Sequence, residues 1–181
     1  APNPQIAYGE DVISRVAYAA EQPDGAAQLT RQIRDALAVL AREVCDTAGV
    51  RRAAVREVVV VGNTAMHHLL ADLPVRQLGL APYRPAMTGP LDLAARDLGF
   101  DLEPGARVYL PPVVAGFVGS DHVAMLLGTG LDRRAGTVPL SSTTSRLFPD
   151  GRTRRIRFMF EDARSGQRWP GWVVRERHYA F

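Results

Sequence analysis

The residues best suited to chemistry lie at two glycine-bearing turns. Gly62, Asn63 and Thr64 follow a run of four valines, Val58 to Val61. An amide and a hydroxyl where a strand turns into a helix suit a phosphate or a ribose. Open α/β sheets gather ligands at that end, and a helix N-terminus attracts anions. The same residue types also cap helices by accepting from first-turn amides. The two roles can coexist, and the residues alone leave both open. Gly116, Gly119, Ser120 and Asp121 form a second turn into a helix. There Gly116 permits a tight approach, and Ser120 or Asp121 can cap. Its spacing matches neither a P-loop nor the dinucleotide fingerprint. His67 and His68 are adjacent, so on a helix they diverge by about 100° and cannot share a metal from one face. The expected arrangement has one packed or capping and the other meeting solvent or a partner.

Composition narrows the chemistry. All 22 basic residues are arginine, which removes a P-loop lysine, a Schiff-base lysine and a kinase-type ATP lysine together. Cys45 is the one cysteine. It cannot form an internal disulfide or hold an iron–sulfur cluster, which needs about four ligands; it reads as a small buried apolar residue. At 46% hydrophobic and 23% charged, the 181 residues read as globular. They contain no apolar run long enough for a membrane span and no secretory signal at their start, so a cytoplasmic protein is expected. Residues 1–132 carry 11 arginines against 15 acidic residues, a net −4, whereas residues 133–181 carry 11 against 4, a net +7. The Arg152, Arg154, Arg155 and Arg157 run, with Phe158, Phe160, Trp169 and Trp172 beyond it, could touch nucleic acid. No nucleic-acid fold accompanies it, and a solvated basic tail is the preferred reading.

The elements that must position these turns follow from periodicity. Val12, Ile13, Val16 and Ala20 have helical spacing behind Glu10 and Asp11. Pro23-Asp24-Gly25 turns the chain into a long amphipathic helix. Its expected inner face is Leu29, Ile33, Leu37, Leu40 and Val44, with Asp24 or Thr30 as cap and Gly49 as stop. Four consecutive valines predict a strand buried on both faces, as in a parallel sheet. Residues 74–90 are proline-rich and predict a surface loop, 91–98 one short helix stopped by Gly99, and Ala106 to Leu110 a second strand in the same sheet. A helix from Ser120 to Leu127 follows. The fold class is α/β, a mixed sheet with flanking helices. From Arg133 the periodicity dissolves, and residues 133–181 are expected to form a divergent basic tail, peripheral or poorly ordered.

Three segments in order carry a resemblance. They are Asn3-Pro4-Gln5 with Tyr8 to Arg15, Val60-Val61-Gly62-Asn63-Thr64-Ala65-Met66-His67-His68-Leu69-Leu70, and Leu110-Pro111-Pro112 through Ala115-Gly116-Phe117-Val118-Gly119-Ser120-Asp121. Over residues 1–132 the chain resembles the ATPase region of the reductive activators of corrinoid proteins, which have the actin and sugar-kinase type of fold. The resemblance implies ATP and Mg²⁺ as cofactors, Asp121 as the catalytic carboxylate, and Gly62, Asn63, Thr64, Gly116, Gly119 and Ser120 as binding residues. It further implies a ferredoxin-like 2Fe–2S domain elsewhere in the protein, and ATP-driven return of a corrinoid cobalt from Co(II) to Co(I). A corrinoid methyl-carrier protein and a second copy of the activator are the implied partners. The chain departs from the pattern at both phosphate loops. One is expected before residue 1, and the other, an Asp-Gly-Thr turn, has no counterpart between Thr137 and Phe148. The expectation is an ATPase fragment inactive by itself. The alternatives are a non-catalytic module that contacts a corrinoid protein, and an unrelated α/β nucleotide-binding domain.

Overall fold

The computed structural model describes residues 2–129, 157–161 and 168–172. It divides into two units, Ala1–Pro139 and Leu140–Phe181. The first unit opens on a 3-10 turn, Pro4–Tyr8, that leads into α1 (Val12–Glu21) and α2 (Gly25–Ala48). Asp11 caps α1, its carboxylate accepting from the Ser14 amide at 2.7 Å. Gly49 ends α2 at φ 65°, a left-handed conformation that glycine adopts without steric cost. Thr30 does not cap α2. It lies buried inside the helix, and its hydroxyl donates to the Leu69 carbonyl at 2.8 Å.

Three strands form the sheet: β1 (Glu57–Val59), β2 (Leu91–Ala94) and β3 (Arg107–Leu110), in the order β1-β3-β2. β1 runs parallel to β3 with Val58 opposite Val108, and β2 runs antiparallel to it with Leu93 opposite Val108. The expectation that these two valine-bearing strands share one sheet therefore holds, and so does the mixed α/β class. Val108 is fully buried at the centre. Around it lie Leu70, Leu98, Phe100 and Leu110, with Ile33, Leu37 and Ala41 of α2 and Val58 and Val60 packed against them. A second cluster joins Val16, Leu29, Ala65, Leu69, Val75 and Leu78, and so binds α1 and α2 to α3 (Thr64–Leu70).

Several expectations are corrected. The valine strand is buried on one face only. Val58 and Val60 face the core, while Val59 and Val61 are 57% and 44% exposed. Side chains alternate along a strand, and among the described residues nothing covers the outer face. The inner face of α2 follows the four-residue row Leu29, Ile33, Leu37, Ala41 and Cys45, and Leu40 and Val44 are exposed. Over about four turns that row drifts away from the pattern read from the bulkiest residues, because contact geometry rather than hydrophobicity selects it. The segment read as one helix at 91–98 is half strand: Leu91 and Leu93 turn inward while Asp92 is exposed, and only Ala95–Leu98 is a 3-10 turn. A period of two wins there because β3 offers a ladder partner.

In the second unit, β4 (Arg157–Glu161) pairs antiparallel with β5 (Arg168–Trp172), Phe158 opposite Gly171. Phe158, Phe160, Trp169 and Trp172 are residue types that favour strands. The rest of the tail, including the Ser141–Ser145 run and most of the arginine cluster, lies outside the described residues. Among the described residues, no helix is long and apolar enough to cross a membrane.

Candidate functional site

The strand ends bring together all seven residues singled out above. Asn63 is the N-cap of α3, and its side-chain oxygen accepts from the Met66 amide at 2.9 Å. Thr64, fully buried, donates its hydroxyl to the Ala115 carbonyl at 2.6 Å. Ser120, also fully buried, sits at the start of α4 (Ser120–Thr129), and its hydroxyl lies 3.2 Å from both the amide and the carbonyl of Gly62. The Asp121 amide donates to the same carbonyl at 3.4 Å. Segments 58 residues apart are thus closed onto each other by one hydroxyl and one amide.

Glycine makes that closure possible. A β-carbon on Gly119 would collide with the Gly62 carbonyl and the Asn63 α-carbon, and one on Gly116 would collide with the Tyr83 carbonyl. Tyr83 itself has φ 59° without being glycine, and its ring meets Phe117 with centroids 5.2 Å apart. The Asp121 carboxylate accepts from the His122 amide at 2.9 Å and lies 3.1 Å from His122 Nδ1. It is the acidic group of this cluster that keeps access to solvent, its side chain being 32% exposed.

The histidines correct the expectation that one would meet solvent: His67 is 3% exposed and His68 fully buried. His68 Nδ1 lies 2.8 Å from the Thr64 carbonyl, while its Nε2 lies 3.1 Å from the Ala86 amide and 3.4 Å from the Met87 amide. Burial holds its pKa below the ordinary value, against the Thr64 bond, which raises it. His67 has no hydrogen-bond partner on either ring nitrogen among the described residues. Burial first, and the neighbouring His68 second, push its pKa down to about 4. Sequence reasoning missed His68 and Tyr83 as members of this cluster. The signal for His68 was its place four residues after Thr64, where a side chain reaches back to the preceding turn. Tyr83 left no such signal.

The polar side chains at this edge are largely spent within the protein. Asn63, Thr64 and Ser120 each satisfy a backbone group of the same cluster. Among the described residues no three of histidine, cysteine, aspartate and glutamate gather where they could hold a metal ion. These hydrogen bonds tie the two glycine-bearing turns to each other. What they build is a rigid joint between the carboxyl ends of β1 and β3, with a carboxylate and an aromatic pair at its rim.

The fold and this joint define a mixed α/β region closed at its strand ends. The family model described as RACo middle region matches residues 1–134. The chain is 36% identical over 132 residues to the corrinoid activation enzyme RamQ of Eubacterium limosum, covering 73% of this chain and 22% of that protein. A solved structure, the reductive activator for corrinoid, iron-sulfur protein, superposes with a TM-score of 0.70 at 36% identity, covering 74% of this chain and 21% of the other. The chain belongs to the RACo middle-region family. It spans about a fifth of the length of the relatives that it matches.

Proposed function

We propose that residues 1–134 serve as the middle region of an ATP-dependent reductive activator of a corrinoid protein. In this reading the complete activator returns corrinoid cobalt from Co(II) to Co(I), with electrons from an iron–sulfur domain and a corrinoid methyl-carrier protein as partner. ATP binding supplies the driving force for an electron transfer that is uphill for ordinary donors. The observation that carries the reading is the joint at the strand ends: the residues that close it fall in the segments resembling the activators, within the region the family model matches. The role of this chain is to hold the carboxyl ends of β1 and β3 at a fixed spacing. A nucleotide would then be gripped by this edge together with phosphate loops from other parts of the activator, and Asp121 is the carboxylate at the edge able to face it. Turnover belongs to that larger assembly.

A chimera tests this. The matched 132 residues of the Eubacterium limosum relative are replaced by the corresponding residues of this chain. ATP-dependent conversion of a Co(II) corrinoid protein to Co(I) is then followed by the corrinoid absorption spectrum. Retained, ATP-dependent reduction is expected. A folded chimera that binds its iron–sulfur cluster yet reduces no cobalt would overturn the reading. If, beside such an inactive chimera, the isolated chain still binds the corrinoid protein, a non-catalytic docking module is favoured instead.

A further inference from the structure

His68 makes three contacts that agree on one chemical state. The Thr64 carbonyl, 2.8 Å from Nδ1, can only accept, so Nδ1 must carry the proton. The Ala86 and Met87 amides, 3.1 and 3.4 Å from Nε2, can only donate, so Nε2 must offer its lone pair. A protonated ring would set a third N–H against two others inside a fully buried site. The ring of His67, on the same helix, has its centroid 5.5 Å from that of His68.

The contacts also join two pieces of chain with nothing local in common. Thr64 lies in the first turn of α3, and its hydroxyl already holds the Ala115 carbonyl. Ala86 and Met87 end the loop that carries Tyr83, whose left-handed backbone and ring contact with Phe117 need outside support. Such a conformation persists only where the surroundings over-determine it. Gly116 supplies one constraint, through its close approach to the Tyr83 carbonyl. The Tyr83 amide adds a local bond to the Leu80 carbonyl, and His68 supplies a further constraint through the Ala86 and Met87 amides. The aromatic pair it supports remains 44% and 49% exposed.

We infer that His68 is a positioning residue: a neutral imidazole locked with its proton on Nδ1, it latches loop 80–87 to α3 and so holds the Tyr83–Phe117 pair at the rim of the strand ends. This assignment stands independently of the proposed function, since it concerns only the joint.

The decisive measurement needs no substitution. In the ¹⁵N-labelled chain at neutral pH, correlation of the His68 ring nitrogens with the ring carbon-bound protons distinguishes the tautomers. The expected pattern is a protonated Nδ1 with an unprotonated Nε2, the form that free histidine disfavours. A dominant Nε2–H pattern, or averaging between the two, would overturn the latch. A pair of variants then reads the two arms separately. In His68→Asn an amide nitrogen can still reach the Thr64 carbonyl while the loop acceptor is gone. In His68→Gln an amide oxygen can still reach the loop. Amide exchange at Ala86 and Met87 is expected to rise at least tenfold in the first variant and to be partly restored in the second, with the Tyr83–Phe117 ring contact following the same order. Equal exchange in both variants would mean that His68 only fills space.

Discussion

Gly119 meets Gly62 backbone to backbone, with no room between them for a methyl group. The contact locks the entry of α4 against the end of β1, and the Ser120 hydroxyl bonds to both polar groups of Gly62 on the same spot. Two loops otherwise free to move independently are therefore fixed relative to the sheet.

Gly119→Ala is expected to destabilise the chain by about 1–3 kcal/mol or more, since backbone rather than a flexible side chain must yield. Gly128, in the last turn of α4 with nothing within 4 Å of an added β-carbon among the described residues, is the control. Gly128→Ala should leave stability unchanged or raise it by about 0.5–1 kcal/mol, the difference between alanine and glycine in a helix. Urea midpoints of the two variants at unchanged m-value decide the matter.

Acid should weaken the fold through His67. Its imidazole titrates at 6.5 ordinarily and at about 4 when folded. Between those values the unfolded chain holds a proton that the folded chain excludes. Stability is therefore full above pH 6.5 and falls as pH drops toward 4, by up to about 3 kcal/mol. His67→Phe should reduce this slope, leaving the smaller part that buried His68, whose pKa is also lowered, contributes. It should also cost little at neutral pH, because neither ring nitrogen has a hydrogen bond to lose among the described residues. An unchanged slope of urea midpoint against pH would assign the acid sensitivity to other groups.

The two faces of the sheet should respond oppositely to truncation. Leu110→Ala, at a side chain 1% exposed, is expected to cost about 2–5 kcal/mol. Val59→Thr, at a side chain 57% exposed and of equal β-branching, should stay within about 0.5 kcal/mol. If Val59→Thr proves as costly as Leu110→Ala, the outer face is covered in solution.

Purified as it stands, the chain should hydrolyse ATP at no more than background. Phosphoryl transfer rests on positioned phosphate and metal contacts, whereas Thr64 and Ser120 are occupied with each other's loops and Asn63 with the first turn of its own helix. Phosphate release measured with and without Asp121→Ala checks this. Turnover that the substitution abolishes would mean that the chain carries a complete site.

Much of this protein was legible where the signal is local. Asp11 and Asn63 cap helices because a short polar side chain reaches an amide two or three residues on, and Gly49 ends α2 because its φ is left-handed. The two glycine-bearing turns could be picked out by residue type alone. Tertiary structure decided the rest. Whether Val59 is buried depends on what packs against the sheet and not on valine, and residues 91–94 became a strand because β3 offered them a ladder. The purpose of Thr64, Ser120 and His68 was equally out of reach of the sequence, since each is defined by a backbone group roughly twenty to sixty residues away. A hydroxyl at a strand end can serve a ligand or a distant carbonyl equally well, and only the folded chain shows which carbonyl it meets.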